Sequence, residues 1–447
     1  MNSEIKWFER PLGEVTCNHD GKRKPVKESE RKKGPYPYYG ASGIVDYVDG
    51  YLFDGRYLLI AEDGENLRTR QTPIAFMADG KFWVNNHAHI VTGKEEVTTE
   101  YLHYFLQHAD VQSYLTGAVM PKLTQGNLNR IPVRYPEPDY QKQIVQILSF
   151  LDRKIDLNRH INQTLEAMAQ AIFKSWFVDF DPVKAKIAAI EQGEDPLRAA
   201  MSAISGKTDA ELDQMPREYH TQVAATAVLF PDAMEENSGL EVIPKGWERP
   251  PLSKMIRLIG GGTPKRSESS YWGGTVPWFS VKDVPNDGDV WVVDTDEKIT
   301  EAGLQKSSTK LLRKGATIIS ARGTVGKLAM VGQEMAMNQS CYGVVGEEGV
   351  SDFFNYFNLK FAVETLKRNT HGAVFDTITQ ATFETVTCVK PENEVMKQFD
   401  ETVEPLLKGI RSNVFQSREL AELRNTLLPK LLSGELSIDL LTAEGMQ

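Results

Sequence analysis

Taken alternately four and three apart from Ile144, the chain reads Ile144, Leu148, Leu151, Ile155, Asn158, Asn162, Leu165, Ala169, Ile172 and Trp176, with eight of the ten positions apolar. A ladder of the same spacing runs through Phe399, Val403, Leu406, Ile410, Asn413, Ser417, Leu420, Arg424, Leu427 and Leu431, with seven of ten apolar. A period of 3.5 residues predicts a coiled-coil seam, built above all on Leu148, Leu151, Ile155, Asn158 and Leu165 and on Val403, Leu406, Ile410, Asn413 and Leu420. Each helix would hold about 37 residues and span roughly 55 Å at 1.5 Å per residue. Both ladders turn polar at the same step, Asn158 and Asn413, and a polar seam residue commonly fixes register or orientation at a cost in stability. The simplest arrangement packs the two helices on each other. The alternative is two amphipathic helices, each packed on its own globular part.

The two ladders lie 255 residues apart, and that offset continues outside them. "GAVMPKLTQGNL" from Gly117 and "GAVFDTITQATF" from Gly372 agree at five of twelve positions, with Leu123 against Ile378 and Leu128 against Phe383. Pro136 falls on Pro391 and Gln143 on Gln398. Nearer the start the offset drifts, but "WFERPLGEV" (Trp7 to Val15) still resembles "WERPPLSKM" (Trp247 to Met255). The chain therefore reads as two copies of one unit, a globular part of variable sequence followed by a helix in fixed register. Within the globular parts, "YLLIAEDGENL" (Tyr57 to Leu67) and "GATIISARGTVGKLAMV" (Gly315 to Val331) predict strands broken by glycine turns. "TEYLHYFLQHADVQSYL" and "DFFNYFNLKFAVETLKR" predict helices in matching places. The expected organisation is a first domain over 1–138, a helix over 139–177, an acidic Ala-rich connector over 178–243, a second domain over 244–391, a second helix over 392–434 and a tail over 435–447. Helical stretches are expected in the connector around Pro196 to Ile204 and Asp209 to Met215.

A chain of 447 residues exceeds one ordinary core, which agrees with two or three domains. No apolar run approaches the roughly 18 residues that cross a bilayer, and "MNSEIKWFERPLG" has no signal-peptide core. Cys17, Cys341 and Cys388 are scattered thiols, so a reducing cytoplasm is expected and a zinc site is not. The net charge of −10 argues against a nucleic-acid partner until it is located. Glu191 to Glu241 holds 11 acidic and 3 basic residues, a net of −8, which leaves −2 for the rest. "GKRKPVKESERKKG" (Gly21 to Gly34) holds seven basic and two acidic residues, and such a local patch decides binding more than the total does. Its bland reading is a solvated loop.

Enzyme signatures fail one by one. "SARGTVGKL" (Ser320 to Leu328) lacks the first glycine of a phosphate loop and has Leu328 where a magnesium-binding Ser/Thr is needed. There is no NPPY or DPPY tetrapeptide, and Pro231-Asp232 is not followed by an acidic-x-Lys pair. "LIGGGTP" has the wrong glycine spacing for a dinucleotide fingerprint. No catalytic, cofactor-binding or metal-binding residue is therefore expected in this chain. Binding chemistry is what remains, and it is duplicated. The first copy offers Lys22, Arg23, Lys24, Lys32 and Lys33, then Arg68 and Arg70, then Lys122, Gln125 and Asn127. The second offers Lys265, Arg266 and Ser267, then Lys282, Arg322, His371 and Gln380. Cations and amides on Gly-rich loops suit phosphate contacts and base edges. Two such surfaces held apart by a rigid coiled coil suit two half-sites of double-stranded DNA about one helical turn, roughly 34 Å, apart.

Five stretches carry a resemblance: "GGTPKRSESSYWGGTVPWFSVKDV", "YYGASGIVDYVDGYLFDGRYLLIAEDGENL", "AIFKSWFVDFDPVKAK", "LFPDAMEENSGLEVIPKGWE" and "LRNTLLPKLLSGELSI". Over essentially its whole length the chain resembles a type I restriction–modification specificity subunit. The resemblance implies an α+β fold class, with two similar α/β target-recognition domains separated by two long antiparallel coiled-coil helices in an internal pseudo-two-fold repeat. It implies a non-catalytic subunit whose domains each read half of an interrupted DNA site, and whose helices set the spacing and dock two modification (methyltransferase) subunits. S-adenosylmethionine would then belong to the modification subunits, and ATP and Mg to the restriction subunits of the complex. Base-reading residues do not carry over, because recognition domains differ there. The competing reading is a coiled-coil scaffold without DNA recognition.

Overall fold

A computed structural model describes residues 5–237, 241–369 and 377–438. The chain divides into two compact units, one of residues 1–155 and 419–447, the other of residues 156–418. The division falls inside both long helices, Pro138–Phe177 and Asn393–Ser433.

The first unit is built on a six-stranded sheet, in spatial order Thr16–Asn18, Ala88–Gly93, Phe53–Ala61, Ala75–Val84, Lys33–Gly40 and Gly43–Val48. Alternation sets its faces: Leu58 and Ile60 face one core, with Tyr101 and Leu102 of the helix Thr99–His108, while Leu59 joins Phe53, Phe82 and Ile90 on the other side. That helix begins where Thr98 Oγ1 accepts the Tyr101 amide at 3.2 Å. A separate ribbon pairs the strand Trp7–Pro11 with Pro132–Pro136, so the start and finish of the domain lie side by side.

The second unit repeats the plan. Its five-stranded sheet runs Ile256–Gly260, Cys341–Gly346, Thr317–Ser320, Leu328–Val331 and Trp291–Val292. Counted by sequence within each shared set, the spatial order in both sheets is first, fifth, third, fourth, second. In both, the second strand lies parallel to the fourth. The helix Asp352–Asn369 packs where Thr99–His108 packs in the first unit. The connector is more folded than its sequence suggested. It holds four helices, Asp181–Gln192, Pro196–Ser205, Asp209–Asp213 and Arg217–Val228, and the last three enclose a small core of Ala200, Met201, Leu212, Val223 and Ala227. Their stops are local: Pro182 and Pro196 open helices, Asp195 accepts the Leu197 amide at 2.9 Å, and Gly193 and Gly206 close helices at φ 72° and 67°.

Within each unit the long helices pack antiparallel. In the first, Ile144 and Leu148 share a core with Leu428 and Leu431, and Arg424 Nη1 donates to Asp152 at 2.7 Å. In the second, Phe173 lies 5.8 Å from Phe399, centroid to centroid, and Leu165 meets Gly409. The polar step is a layer of amides. Asn158 donates to Gln416 at 2.9 Å and to Ser417 at 3.2 Å, and Asn413 donates to Asn162 at 2.9 Å.

Burial along the ladder is uneven. Leu148, Leu151, Ile155, Asn158, Val403 and Ile410 are buried, but Leu165, Leu406, Asn413 and Leu420 are only half-buried. Phe173 and Leu407 take the core places expected for Ile172 and Leu406. A straight helix has 3.6 residues per turn, so a strict 3.5-residue row rotates off the interface by about 20° per heptad. Among the described residues, no helix is long and apolar enough to cross a membrane.

Candidate nucleic-acid interface

The basic run of the first unit is tied to the sheet by its backbone. Trp83 Nε1 donates to the Lys24 carbonyl at 2.6 Å, and the Val26 amide donates to the Tyr38 hydroxyl at 2.9 Å. This holds the run in place while Lys22, Lys24, Lys32 and Lys33 remain exposed. Arg23 does something else. Its side chain is 15% exposed and donates to Glu62, itself 12% exposed, at 2.6 Å. It also donates to the Ala88 carbonyl at 2.8 Å.

Glu62 is the hub of a buried network. Lys122 Nζ reaches its other oxygen at 3.1 Å. Buried His89 sits beside it, with Nδ1 2.6 Å from Asp20 and Nε2 2.7 Å from the Leu123 carbonyl. Both ring nitrogens thus face oxygen atoms. Burial pushes the Glu62 and Asp20 carboxyls up, yet their partners outweigh it: Arg23, His89 and Lys122 for Glu62, and His89, the Ile90 amide and Arg23 for Asp20. Both carboxyls end below their ordinary range. Arg23 is thus a structural cation, which corrects its expected place in the exposed phosphate-facing run, and Lys122 is shared with the same network.

The other expected residues gather around the loop Gly117 to Pro121. Arg68 donates to the Gly117 carbonyl at 2.9 Å, and Gln112 donates to the Arg68 carbonyl at 3.1 Å. Arg70 departs from expectation. It adopts φ 52° and turns its half-buried guanidinium onto the Leu106, Gln107 and Ala109 carbonyls at the end of Thr99–His108. Burial pulls its pKa down. Asn127 donates to the Tyr114 carbonyl at 2.7 Å, so its amide braces the loop, whereas Gln125 stands exposed at the first position of the helix Gln125–Leu128.

In the second unit, Lys265, Ser267, Lys282, Arg322 and Gln380 are exposed. Arg266 is engaged: it makes a two-bonded fork with Glu297, Nη2 to Oε2 at 2.9 Å, and its guanidinium stacks 3.8 Å from the Trp272 ring centroid. Trp278 is buried and donates to the Gly262 carbonyl at 3.0 Å, which makes it core. Arg322 pairs by its backbone with Thr377. His371 lies outside the described residues.

The repeat aligns these two surfaces. The Leu123 amide donates to the Glu62 carbonyl at 2.7 Å, and the Ile378 amide to the Ala321 carbonyl at 2.9 Å. Two residues on, Gln125 and Gln380 each begin a short helix headed by Thr124 or Thr379. Sequence reasoning missed the Asp20–Glu62–His89 network, because its members are scattered over some 70 residues. It also passed over exposed Arg130, whose only sequence signal was its place beside "PKLTQGNLN".

Three comparisons bear on what these surfaces serve. A family model described as "Type I restriction modification DNA specificity domain" matches twice, over residues 4–167 and 244–408. The type I restriction enzyme HindI specificity subunit of Haemophilus influenzae is 33% identical over 401 residues, 86% of this chain and 84% of that one. The type I restriction enzyme MjaIX specificity subunit of Methanocaldococcus jannaschii is 23% identical over 453 residues, 96% of this chain and 93% of the relative. Among solved structures, the crystal structure of a type I restriction–modification system S subunit from M. genitalium has the same fold, with a TM-score of 0.53 at 12% identity over 96% of this chain and 97% of that one.

Proposed function

The chain belongs to the type I restriction–modification DNA specificity family, and we propose that it is the non-catalytic subunit that chooses where the complex acts. Each globular domain reads one half of an interrupted double-stranded DNA site. Domain 1 covers about 1–138 and domain 2 about 244–391. The helices over 139–177 and 392–434 set the spacing and dock two modification subunits, which bring S-adenosylmethionine. Restriction subunits would add ATP- and Mg-dependent cleavage, in the cytoplasm where the DNA lies. The observation that carries the reading is the pairing of a common backbone with divergent polar side chains. At equivalent points the first domain has Glu62, Asp63 and Lys122, and the second has Ala321, Arg322 and Thr377. A shared scaffold with different edge chemistry is what two different half-sites require.

On this reading Lys22, Lys24, Lys32, Lys33, Lys265 and Lys282 serve phosphates. Gln125, Gln380, Ser267 and Arg322 serve base edges. The test is methylation of a plasmid by the purified chain alone and with modification subunits, read by sequencing modified adenines. The expected result is no methylation by the chain alone and methylation at one bipartite sequence with the subunits. Methylation unaffected by this chain would overturn the reading in favour of a scaffold.

A further inference from the structure

The loop from Gly117 to Pro121 ends in two aliphatic residues that nothing covers. Val119 is 95% exposed and Met120 is 62% exposed. Single exposed apolar residues are ordinary on a protein surface, but this pair is displayed by a braced turn. Thr116 and Lys122 exchange backbone hydrogen bonds of 2.8 and 2.7 Å across its neck. The Gly64 amide donates to the Pro121 carbonyl at 3.2 Å, and Arg68 holds the Gly117 carbonyl from the side. Gly117 has φ 88°, and a Cβ there would lie 2.2 Å from the Met120 carbonyl oxygen, so the turn depends on glycine. In sequence, the second copy keeps Gly-Ala-Val followed by a large apolar residue at the same offset, Gly372 to Phe375, although Pro121 and Lys122 give way to Asp376 and Thr377. The tip carries no polar side-chain atom, yet Arg68 binds the carbonyl at its foot, and the exposed Gln125 follows three residues after Lys122 in the chain.

We propose that Val119 and Met120 read thymine, pressing on its C5-methyl group in the major groove of the first half-site. The inference rests on the DNA-recognition reading above. An aliphatic tip cannot distinguish the donor and acceptor patterns of base edges. The thymine methyl is the one apolar group that the major-groove edges present. Arg68, tied to the foot of the tip, supplies polar chemistry beside it for the neighbouring backbone or base.

The experiment uses the full chain assembled with modification subunits and a DNA fragment containing a methylated site, amplified with either thymidine or deoxyuridine triphosphate. Uracil removes the methyl and leaves every hydrogen-bonding group in place. The parent protein should methylate the uracil fragment about fourfold more slowly for each methyl contacted. In the double variant Val119→Ser, Met120→Ser that ratio should collapse to one, and Met120→Leu should keep it. Where turnover is too slow to read, competition binding of the two fragments gives the same ratio. Equal rates on both fragments for the parent protein would overturn the proposal. So would a ratio that survives in the double serine variant, because the methyl would then be read elsewhere. No site-specific methylation of any fragment would overturn the parent reading and this one with it, which separates the two failures.

Discussion

The two domains place the same amide in the same hydrogen bond and then surround it with opposite chemistry. In the first, the carbonyl that accepts the Leu123 amide belongs to Glu62, whose carboxylate binds Arg23 and Lys122. In the second, the carbonyl that accepts the Ile378 amide belongs to Ala321, which carries no charge to pair. The attachment of each domain to the long helices differs in the same way. Tyr104 donates to Asp152 at 2.7 Å in the first unit. The residue 255 further on is Leu407, and there it is the backbone carbonyl that accepts Trp291 Nε1, at 2.8 Å. A duplicated backbone therefore tolerates a charged solution and an apolar one at equivalent points, provided that each polar group finds a partner.

The sharpest way to break this comparison is Glu62→Ala, which gives the first domain the side chain of the second. The scaffold accepts alanine at the equivalent point, but Arg23 would lose its closer carboxylate in a largely buried site and keep only Asp20, at 3.4 Å. A loss of about 3–5 kcal/mol is expected, seen as an early thermal transition. Melting unchanged from the parent would mean that Arg23 finds water.

The pH dependence contributed by Asp20 and Glu62 should be opposite in sign to that contributed by Asp400. Asp20 and Glu62 have lowered carboxyls, so their contribution is present above the ordinary values of 3.8 and 4.5 and is lost as pH falls through the folded ones. Asp400 is the reverse. Burial pushes it up to about 6, although it accepts from Ser351 at 2.7 Å and from the amides of Phe353 and Phe354 at 3.1 and 3.0 Å. Its contribution is complete below 3.8 and is lost as pH rises through about 6. Between pH 4 and pH 8, the stability of Asp400→Asn relative to the parent should therefore improve by up to about 3 kcal/mol. Denaturant titrations at both pH values would show it, and a difference that does not change with pH would refute it.

Gln125→Ala and Gln380→Ala sharpen the comparison at its most symmetric point. Each should relax one base position of its own half-site, by about 1–3 kcal/mol of discrimination. Sequencing of methylated sites reads this directly, and relaxation of the same half-site by both variants would contradict a division of labour. The smallest effect belongs to single lysines. Replacing Lys22, Lys24, Lys32 or Lys33 by alanine should lower the log–log salt slope of DNA binding by about 0.9 each. Arg23→Ala, by contrast, should lower the melting temperature. A slope indifferent to all four lysines would leave the run a solvated loop.

What could be read from the sequence was local or periodic. Ladders from Ile144 and Phe399 announced the long helices, and the 255-residue offset announced a sheet built twice. Pro182, Gly193, Pro196 and Gly206 were equally plain boundary signals, yet only the stretches around Pro196 to Ile204 and Asp209 to Met215 were expected as helical, and the helices Asp181–Gln192 and Arg217–Val228 went unread. The fate of a cation was not legible. Arg23 and Lys24 are neighbours in one basic run, but Arg23 turns inward to a carboxylate 39 residues away and Lys24 faces water. No periodicity encodes that choice; the sheet makes it, by bringing Glu62 beside the run. Likewise Arg70 looked like a second surface cation until a left-handed backbone turned it onto a helix end.

The chain enters and leaves each domain along laced strands. Trp7 pairs with Pro136 and Pro11 with Pro132, while Glu248 and Lys390 exchange amides at 3.0 and 2.8 Å. Entry and exit points thus sit about one strand spacing, roughly 4.8 Å, apart. A segment cut at those two points carries its own clasp. A foreign insert with the same clasp would meet the flanking helices at an unchanged distance, whatever lies between. Each domain is thus bounded as a block: replacement between its two clasp points changes everything inside and leaves the distance between the flanking chain ends as it was.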